Sequence, residues 1–169
     1  MEVQVIDNFL PEDEFKHIES FILSERFPWY FYDGIVDLND GKYQFTHGFM
    51  KNQYAKVPNE PDINFPVVEP CLKKLGCKTI YRIKANLVPK TFFHRRSVYH
   101  NDLEGSDLSS QLKTAIFYIN TCNGWTQFKK GGKVKSVANR IVIFDHILFH
   151  AGVTCTDEKR RVVVNFNYA

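Results

Sequence analysis

The sequence contains no apolar stretch approaching the ~20 residues that a membrane-spanning helix requires. It has four cysteines, Cys71, Cys77, Cys122 and Cys155, and none forms a CxxC pair. There is no internal repeat, low-complexity tract or linker. The first residues, Met1-Glu2-Val3-Gln4-Val5, have neither the basic start nor the apolar run of a secretory signal. The cysteines are therefore expected to be reduced, mostly buried thiols in a cytoplasmic protein, and their spacing disfavours a structural zinc site. A net charge of +3 is too small to imply a nucleic-acid partner by itself.

What is present is a core. Across 169 residues, 44% are hydrophobic and phenylalanine occurs 15 times, which a packed globule explains and a disordered chain does not. The length predicts a single domain over 1–169. Residues 1–78 read as helical support with N-terminal strands. Glu2–Ile6 alternates as a short strand, and Pro11 starts a helix with Glu12, Asp13 and Glu14 at its positive end. Phe15, Ile18, Phe21 and Ile22 fall on one face of that helix. Residues 27–62, aromatic and turn-rich (Asn39-Asp40-Gly41 among them), carry no clear pattern. A second helix is predicted from Phe65 to Leu75, stopped by Gly76.

From residue 79 the pattern becomes strands: Thr79–Val88, Ser97–Asn101, Leu112–Asn120, Trp125–Phe128, Lys133–Val137, Arg140–Asp145, a short strand near His150, and Arg161–Tyr168. Pro89, Gly105, Asn123-Gly124, Gly131-Gly132 and Ala138-Asn139 separate them. Many short strands after a helical third predict a mainly β fold, a sandwich or jelly roll buttressed on one face by helices.

The segment with the most chemistry is Tyr99-His100-Asn101-Asp102. On a strand, residues i and i+2 share a face, so the His100 imidazole and the Asp102 carboxylate would converge. A second histidine from another strand, His150, would complete two histidines and one carboxylate on one face of an iron(II) ion, leaving positions open for co-substrate and oxygen. HxD alone is a weak signal, since His100 could equally be an exposed strand histidine. The joint order of HxD, a later histidine and then an arginine is more informative. A dicarboxylate needs a cation at the far end of its pocket, and Arg160 or Arg161 can supply it. Alternation admits one of the pair, and Arg161 shares a face with Val163, Asn165 and Asn167. The competing reading is a solvated turn, because 157–161 is a mixed charge run. His146 is an alternative ligand, and His17 and His47 read as surface residues.

In this order the motifs resemble the iron(II)- and 2-oxoglutarate-dependent oxygenase superfamily, in its prolyl-4-hydroxylase-like branch. The matching pieces are His100-x-Asp102, the strand Thr114–Asn120, Asn139–Asp145, His150-Ala151-Gly152-Val153 and Arg161–Asn167, with Val5–Pro11 similar to the opening of small members. The resemblance implies a double-stranded β-helix over 79–169 with Fe(II) held by His100, Asp102 and His150. It also implies 2-oxoglutarate and O2 as co-substrates, with ascorbate as a supporting reductant. The implied reaction is hydroxylation of a C–H bond coupled to decarboxylation of 2-oxoglutarate to succinate. By position, Tyr118 would set its hydroxyl against the remote carboxylate of 2-oxoglutarate, with a packed core tyrosine as the alternative. Asn86 would stand near the chelating carboxylate.

One departure is Asn123-Gly124-Trp125, which places a bulky Trp125 where relatives carry a small residue and so puts substrate access in question. A protein or peptide side chain such as proline is the substrate the resemblance implies. Hydroxylation or demethylation of a nucleic-acid base on the same iron core is the alternative. Phe92 and Phe93, interleaved with Lys90, His94, Arg95 and Arg96, point that way, although this basic loop could equally gather an acidic or phosphate-bearing substrate or be merely solvated. A non-catalytic jelly-roll binding module is the third reading.

Overall fold

The computed structural model describes residues 3–35, 41–50, 61–102 and 112–169. Glu2, Asn39, Asp40 and Gly105 lie outside them. The elements run β1 (Gln4–Ile6), α1 (Glu12–Ile22), β2 (Tyr30–Tyr32), β3 (Gln44–Met50), α2 (Glu69–Leu75), β4 (Ile80–Pro89), β5 (Lys113–Tyr118), β6 (Trp125–Phe128), β7 (Lys133–Lys135), β8 (Arg140–Asp145), β9 (His150–Val153) and β10 (Arg160–Tyr168). A seven-stranded antiparallel sheet has the order β1-β8-β5-β10-β4-β3-β2, and a three-stranded sheet the order β7-β6-β9. This is the jelly roll the strand pattern predicts. No described helix is long and apolar enough to cross a membrane.

The large sheet is covered on both faces, which explains why its central strands are apolar with little alternation. On one face α1 and α2 pack through Phe15, Ile18, Ile22, Cys71 and Leu72 onto Phe117, Val162, Val164 and Phe166. Phe15 and Phe9 each meet the Phe117 ring edge-on, at 5.9 and 5.8 Å between centroids. On the other face Phe128 and Val134 of the small sheet pack on Ile116, Tyr118, Val142, Phe144 and Val163. Burying side chains of this size contributes roughly 1.5–3 kcal/mol each.

Three expectations are modified. The predicted 65–75 helix begins as a 3₁₀ turn, Phe65–Val68, before α2. Pro70 has no N–H to donate to residue 66, so the chain tightens to a three-residue turn through Glu69 N–H to the Pro66 carbonyl. Gly76 ends α2 in the left-handed region at φ +66°, as a helix stop requires. Within 27–62, β2 and β3 extend the large sheet as its far edge. Ser97–Asn101 is not a regular strand. Arg96 faces Val153 and His100 faces His150, so four steps on one side match three on the other. The extra residue breaks the ladder in the manner of a bulge.

His47 corrects the surface reading of that histidine. It is 2% exposed, bonded to the Pro28 carbonyl and to Asp62, and packed among Phe27 and Phe49. His17 lies exposed on α1. All four cysteines are free, and Cys71, Cys122 and Cys155 are buried.

Candidate metal centre

His100 and His150 are brought together by main-chain bonding. Each N–H donates to the other's carbonyl, at 3.0 and 2.9 Å, and the rings lie 4.8 Å apart. Asp102 follows in a turn, so its convergence on His100 comes from the chain bending after the bridge and not from strand alternation. One ligand atom from each of His100, Asp102 and His150 lies within 4.8 Å of the others.

The protonation of this trio is set by its surroundings. His100 Nδ1 lies 3.1 Å from the Val98 carbonyl and His150 Nδ1 3.1 Å from the Leu148 carbonyl. A carbonyl only accepts, so each Nδ1 carries a proton, and a neutral ring held this way presents its lone pair at Nε2. This backbone-oriented tautomer is the one metal-binding imidazoles use. Burial lowers the pKa of His150, against the pull of Asp102, and keeps the ring neutral. For Asp102, burial pushes upward, but the Arg82 charge, both histidines and the Asn167 amide outweigh it. The net result is a carboxyl well below its usual range. Two imidazoles oriented this way and a carboxylate suit a divalent first-row metal that keeps open positions.

Asp102 is braced by residues the sequence reading did not single out as a network. Arg82 Nη2 lies 2.8 Å from Asp102 Oδ1. Arg82 Nε donates to Asn167 Oδ1 at 2.9 Å, while Asn167 Nδ2 donates to Asp102 Oδ2 at 3.1 Å and to Thr114 Oγ1 at 3.0 Å. The alternation of β4 and β10 carried the signal, because Arg82 and Asn167 are register partners on one face.

The trio opens into a cavity of about 360 Å³ walled by β4 and β10. Arg161 stands in this wall, 5% exposed. Its Nε donates to Ser136 Oγ at 2.8 Å and its Nη2 to Thr126 Oγ1 at 3.0 Å. Among the described residues it has no carboxylate partner. Gly124 makes room for it, since a Cβ there would meet Arg161 Cδ and the Val153 carbonyl at 2.8 Å. Arg160 points the other way and donates to the Leu23 carbonyl, 2.6 Å away, just past the end of α1.

Asn86 also lines the cavity, with a single weak bond from Nδ2 to the Lys84 carbonyl at 3.4 Å. Tyr118 does not line it. It is fully buried behind Arg161, its hydroxyl donating to Thr126 Oγ1 at 2.8 Å, so the polar wall at that end is Thr126 and Arg161. His146 is held apart from the trio, with Nδ1 against the Leu112 carbonyl at 3.1 Å. Trp125 faces outward from β6 and packs on the His94 ring at 4.7 Å, so it does not narrow the cavity. Lys90, Arg95 and Arg96 lie outside this wall, and its cations come instead from Arg82, Lys84 and Arg161.

No family model and no curated protein matches the sequence. The fold is shared with solved oxygenases at low identity. A 2OG-Fe(II) oxygenase-family oxidoreductase from Burkholderia pseudomallei is similar at TM-score 0.68 and 11% identity, over 98% of this chain and 84% of that one. A viral collagen prolyl hydroxylase from Paramecium bursaria Chlorella virus-1, solved with 2OG, gives 0.61 and 16%, over 100% and 96%. The α-ketoglutarate-dependent epimerase of nogalamycin biosynthesis gives 0.64 and 11%, over 98% and 75%. These likenesses establish the fold, and they span more than one outcome on it.

Proposed function

We propose that this protein is an Fe(II)- and 2-oxoglutarate-dependent oxygenase that hydroxylates a C–H bond, with a protein or peptide side chain such as proline as substrate. The observation that carries this is Arg161, a buried cation with no anionic partner among the described residues, facing the same cavity as His100, Asp102 and His150. Burying an unpaired charge is costly, so a ligand that supplies the counter-charge is the natural explanation.

His100, Asp102 and His150 would hold the iron, whose bound form supplies oxygen activation driven by 2-oxoglutarate decarboxylation. The protein's own part is orientation. The Val98 and Leu148 carbonyls fix the imidazole tautomers, and Arg82 and Asn167 hold the carboxylate. Arg161, set by Ser136 and Thr126, would pair with the remote carboxylate of 2-oxoglutarate. Asn86, on the same wall, would donate to the nearer carboxylate. A single domain over 1–169 would carry this activity in the cytoplasm.

The second reading, a nucleic-acid base as substrate, is favoured by Phe92 and Phe93, which are 97% and 80% exposed beside Lys90 and Arg95 in the manner of a stacking platform. The test is incubation with Fe(II), ascorbate and 2-oxoglutarate, scoring succinate by mass spectrometry and candidate peptides and oligonucleotides for a gain of one oxygen. Succinate from the wild type, and none from His100→Ala or Asp102→Ala at retained secondary structure, is expected. Undiminished succinate from either variant would exclude these residues as ligands. No succinate at all would favour a binding module.

A further inference from the structure

The cavity wall has four levels. In the pairing of β10 with β4, Arg161 faces Val88, Val163 faces Asn86, Asn165 faces Lys84, and Asn167 faces Arg82. The two ends have been described: Arg161 meets the small sheet, and Arg82 is neutralised by Asp102. The level of Lys84 and Asn165 has no such satisfaction. Among the described residues the Lys84 ammonium makes no hydrogen bond or ion pair, and its contact is the face of the Tyr32 ring at 5.3 Å. The Oδ1 atom of Asn165 is buried and, among the described residues, has no hydrogen-bond partner. Native proteins rarely leave such atoms unmatched, so an unpaired ammonium beside an unpaired amide carbonyl on one wall indicates a ligand.

This level is separate from that of Arg161. Lys84 leans toward β2, passing Gly48, its β3 neighbour, which has no side chain to block it. Arg161 turns the opposite way, toward Ser136 and Thr126. Four residues of β4 separate Val88 from Lys84, roughly 13 Å of strand. A five-carbon dicarboxylate spans only about 5 Å between its end carbons. Charge points the same way. The described lining holds three cations, Arg82, Lys84 and Arg161, and one carboxylate, Asp102. A divalent metal and a dicarboxylate cancel one another, so the positive surplus persists. Tyr32, 38% exposed, places this level at the rim, where a second molecule can enter.

We infer that Lys84, with Asn165 beside it, forms a subsite for an anionic group of the primary substrate, a carboxylate or a phosphate. The inference rests on the oxygenase reading and names the chemistry of its substrate.

The test titrates the Mn(II)- and 2-oxoglutarate-loaded protein calorimetrically with acetyl-glutamate, its uncharged isostere acetyl-glutamine, and acetyl-phosphoserine, each with its α-carboxyl blocked as the N-methylamide. At least one of the two anions should bind tenfold or more tightly than the amide, and which one does identifies the group. The preference should vanish in Lys84→Met and persist in Lys16→Met, a charge change on the outer face of α1. Equal binding of acid and amide, no measurable binding of either anion, or a preference that survives Lys84→Met overturns the inference. So does a loss of 2-oxoglutarate affinity in Lys84→Met without change in the acetyl-glutamate titration, which would give the lysine to the co-substrate. Failure of the wild type to take up Mn(II) and 2-oxoglutarate is read separately, before any probe is added, and counts against the oxygenase reading itself.

Discussion

Arg82 and Asp102 are joined by a 2.8 Å ion pair in which the carboxylate is 4% exposed and the guanidinium 24%. The same arginine holds Asn167, which donates to the second oxygen of Asp102, so both carboxylate oxygens are fixed before any metal arrives. Removing one member of a buried pair leaves the other uncompensated. Arg82→Met should therefore destabilise the metal-free protein by about 2–3 kcal/mol, a figure reduced from the fully buried case because Arg82 is partly solvated. Saturating Mn(II) should recover much of that loss, since the ion supplies positive charge to the same carboxylate. Chemical denaturation with and without Mn(II) measures both. A loss that Mn(II) leaves untouched would mean that Arg82 acts through packing and not through Asp102.

Arg161 and Arg160 should separate cleanly. A charge-assisted bond to a carboxylate contributes roughly 1.5–3 kcal/mol, so Arg161→Ala should raise the apparent KM for 2-oxoglutarate at least ~10-fold with little change in metal affinity. Arg160 instead holds the Leu23 carbonyl at the end of α1. Arg160→Ala should cost about 1 kcal/mol of stability and leave that KM near wild type. The opposite ranking in KM would refute the role given to Arg161.

Gly124 offers a test of the same subsite without touching a charge. A Cβ at this position would meet both the Arg161 side chain and the Val153 main chain at 2.8 Å. The backbone contact cannot be relieved by a rotamer change, so Gly124→Ala should displace β9 and Arg161 together. The expected result is a drop of several degrees in Tm and weaker 2-oxoglutarate binding. An unchanged 2-oxoglutarate titration would show that the guanidinium is free to reposition.

Lys84 predicts a pH signature. Burial, with the Arg82 charge second and Asp102 opposing, moves its pKa from 10.5 down to about 8. Between those values the unfolded chain holds a proton that the folded chain has released, so this group makes stability rise with pH across the window. Below about 8 the folded protein bears the full cost of an enclosed, unpaired cation. Lys84→Met should accordingly be more stable than wild type at pH 7, by on the order of 2 kcal/mol, and the difference should shrink toward pH 10.5. Urea titrations of both proteins at pH 7, 9 and 10.5 decide it, and a difference independent of pH would assign the gain to packing alone.

Alternation and turn residues were sufficient for most of the β scaffold. Trp125–Phe128 and Arg140–Asp145 have the predicted bounds, and β4, β5, β7 and β10 differ from their predicted ranges by no more than two residues at either end. The same period-2 rule placed Arg161, Val163 and Asn165 on the cavity side and Arg160 on the helix side. These are local properties, fixed by where Cβ points on a strand, and a sequence carries them directly. The order of His100, Asp102 and His150 was legible too, although the route to their meeting was not. A one-residue irregularity beside β9, and a bend after it, bring Asp102 around.

Alternation names a face but not what covers it, and there the tertiary structure decided. Arg82 and Lys84 fall at alternate positions of β4. They line a cavity because β2 and β3 extend the sheet past them while His100–Asp102 crosses above. His47 reads as a surface histidine and is enclosed because Phe27 and Phe49 arrive from distant positions to surround it. Tyr118 lies on the inward face, yet Arg161 and Thr126 stand between it and the cavity. Each outcome depends on contacts between residues far apart in the chain, and the energy of burying a charge or a ring is set by those neighbours, not by its own position in the pattern.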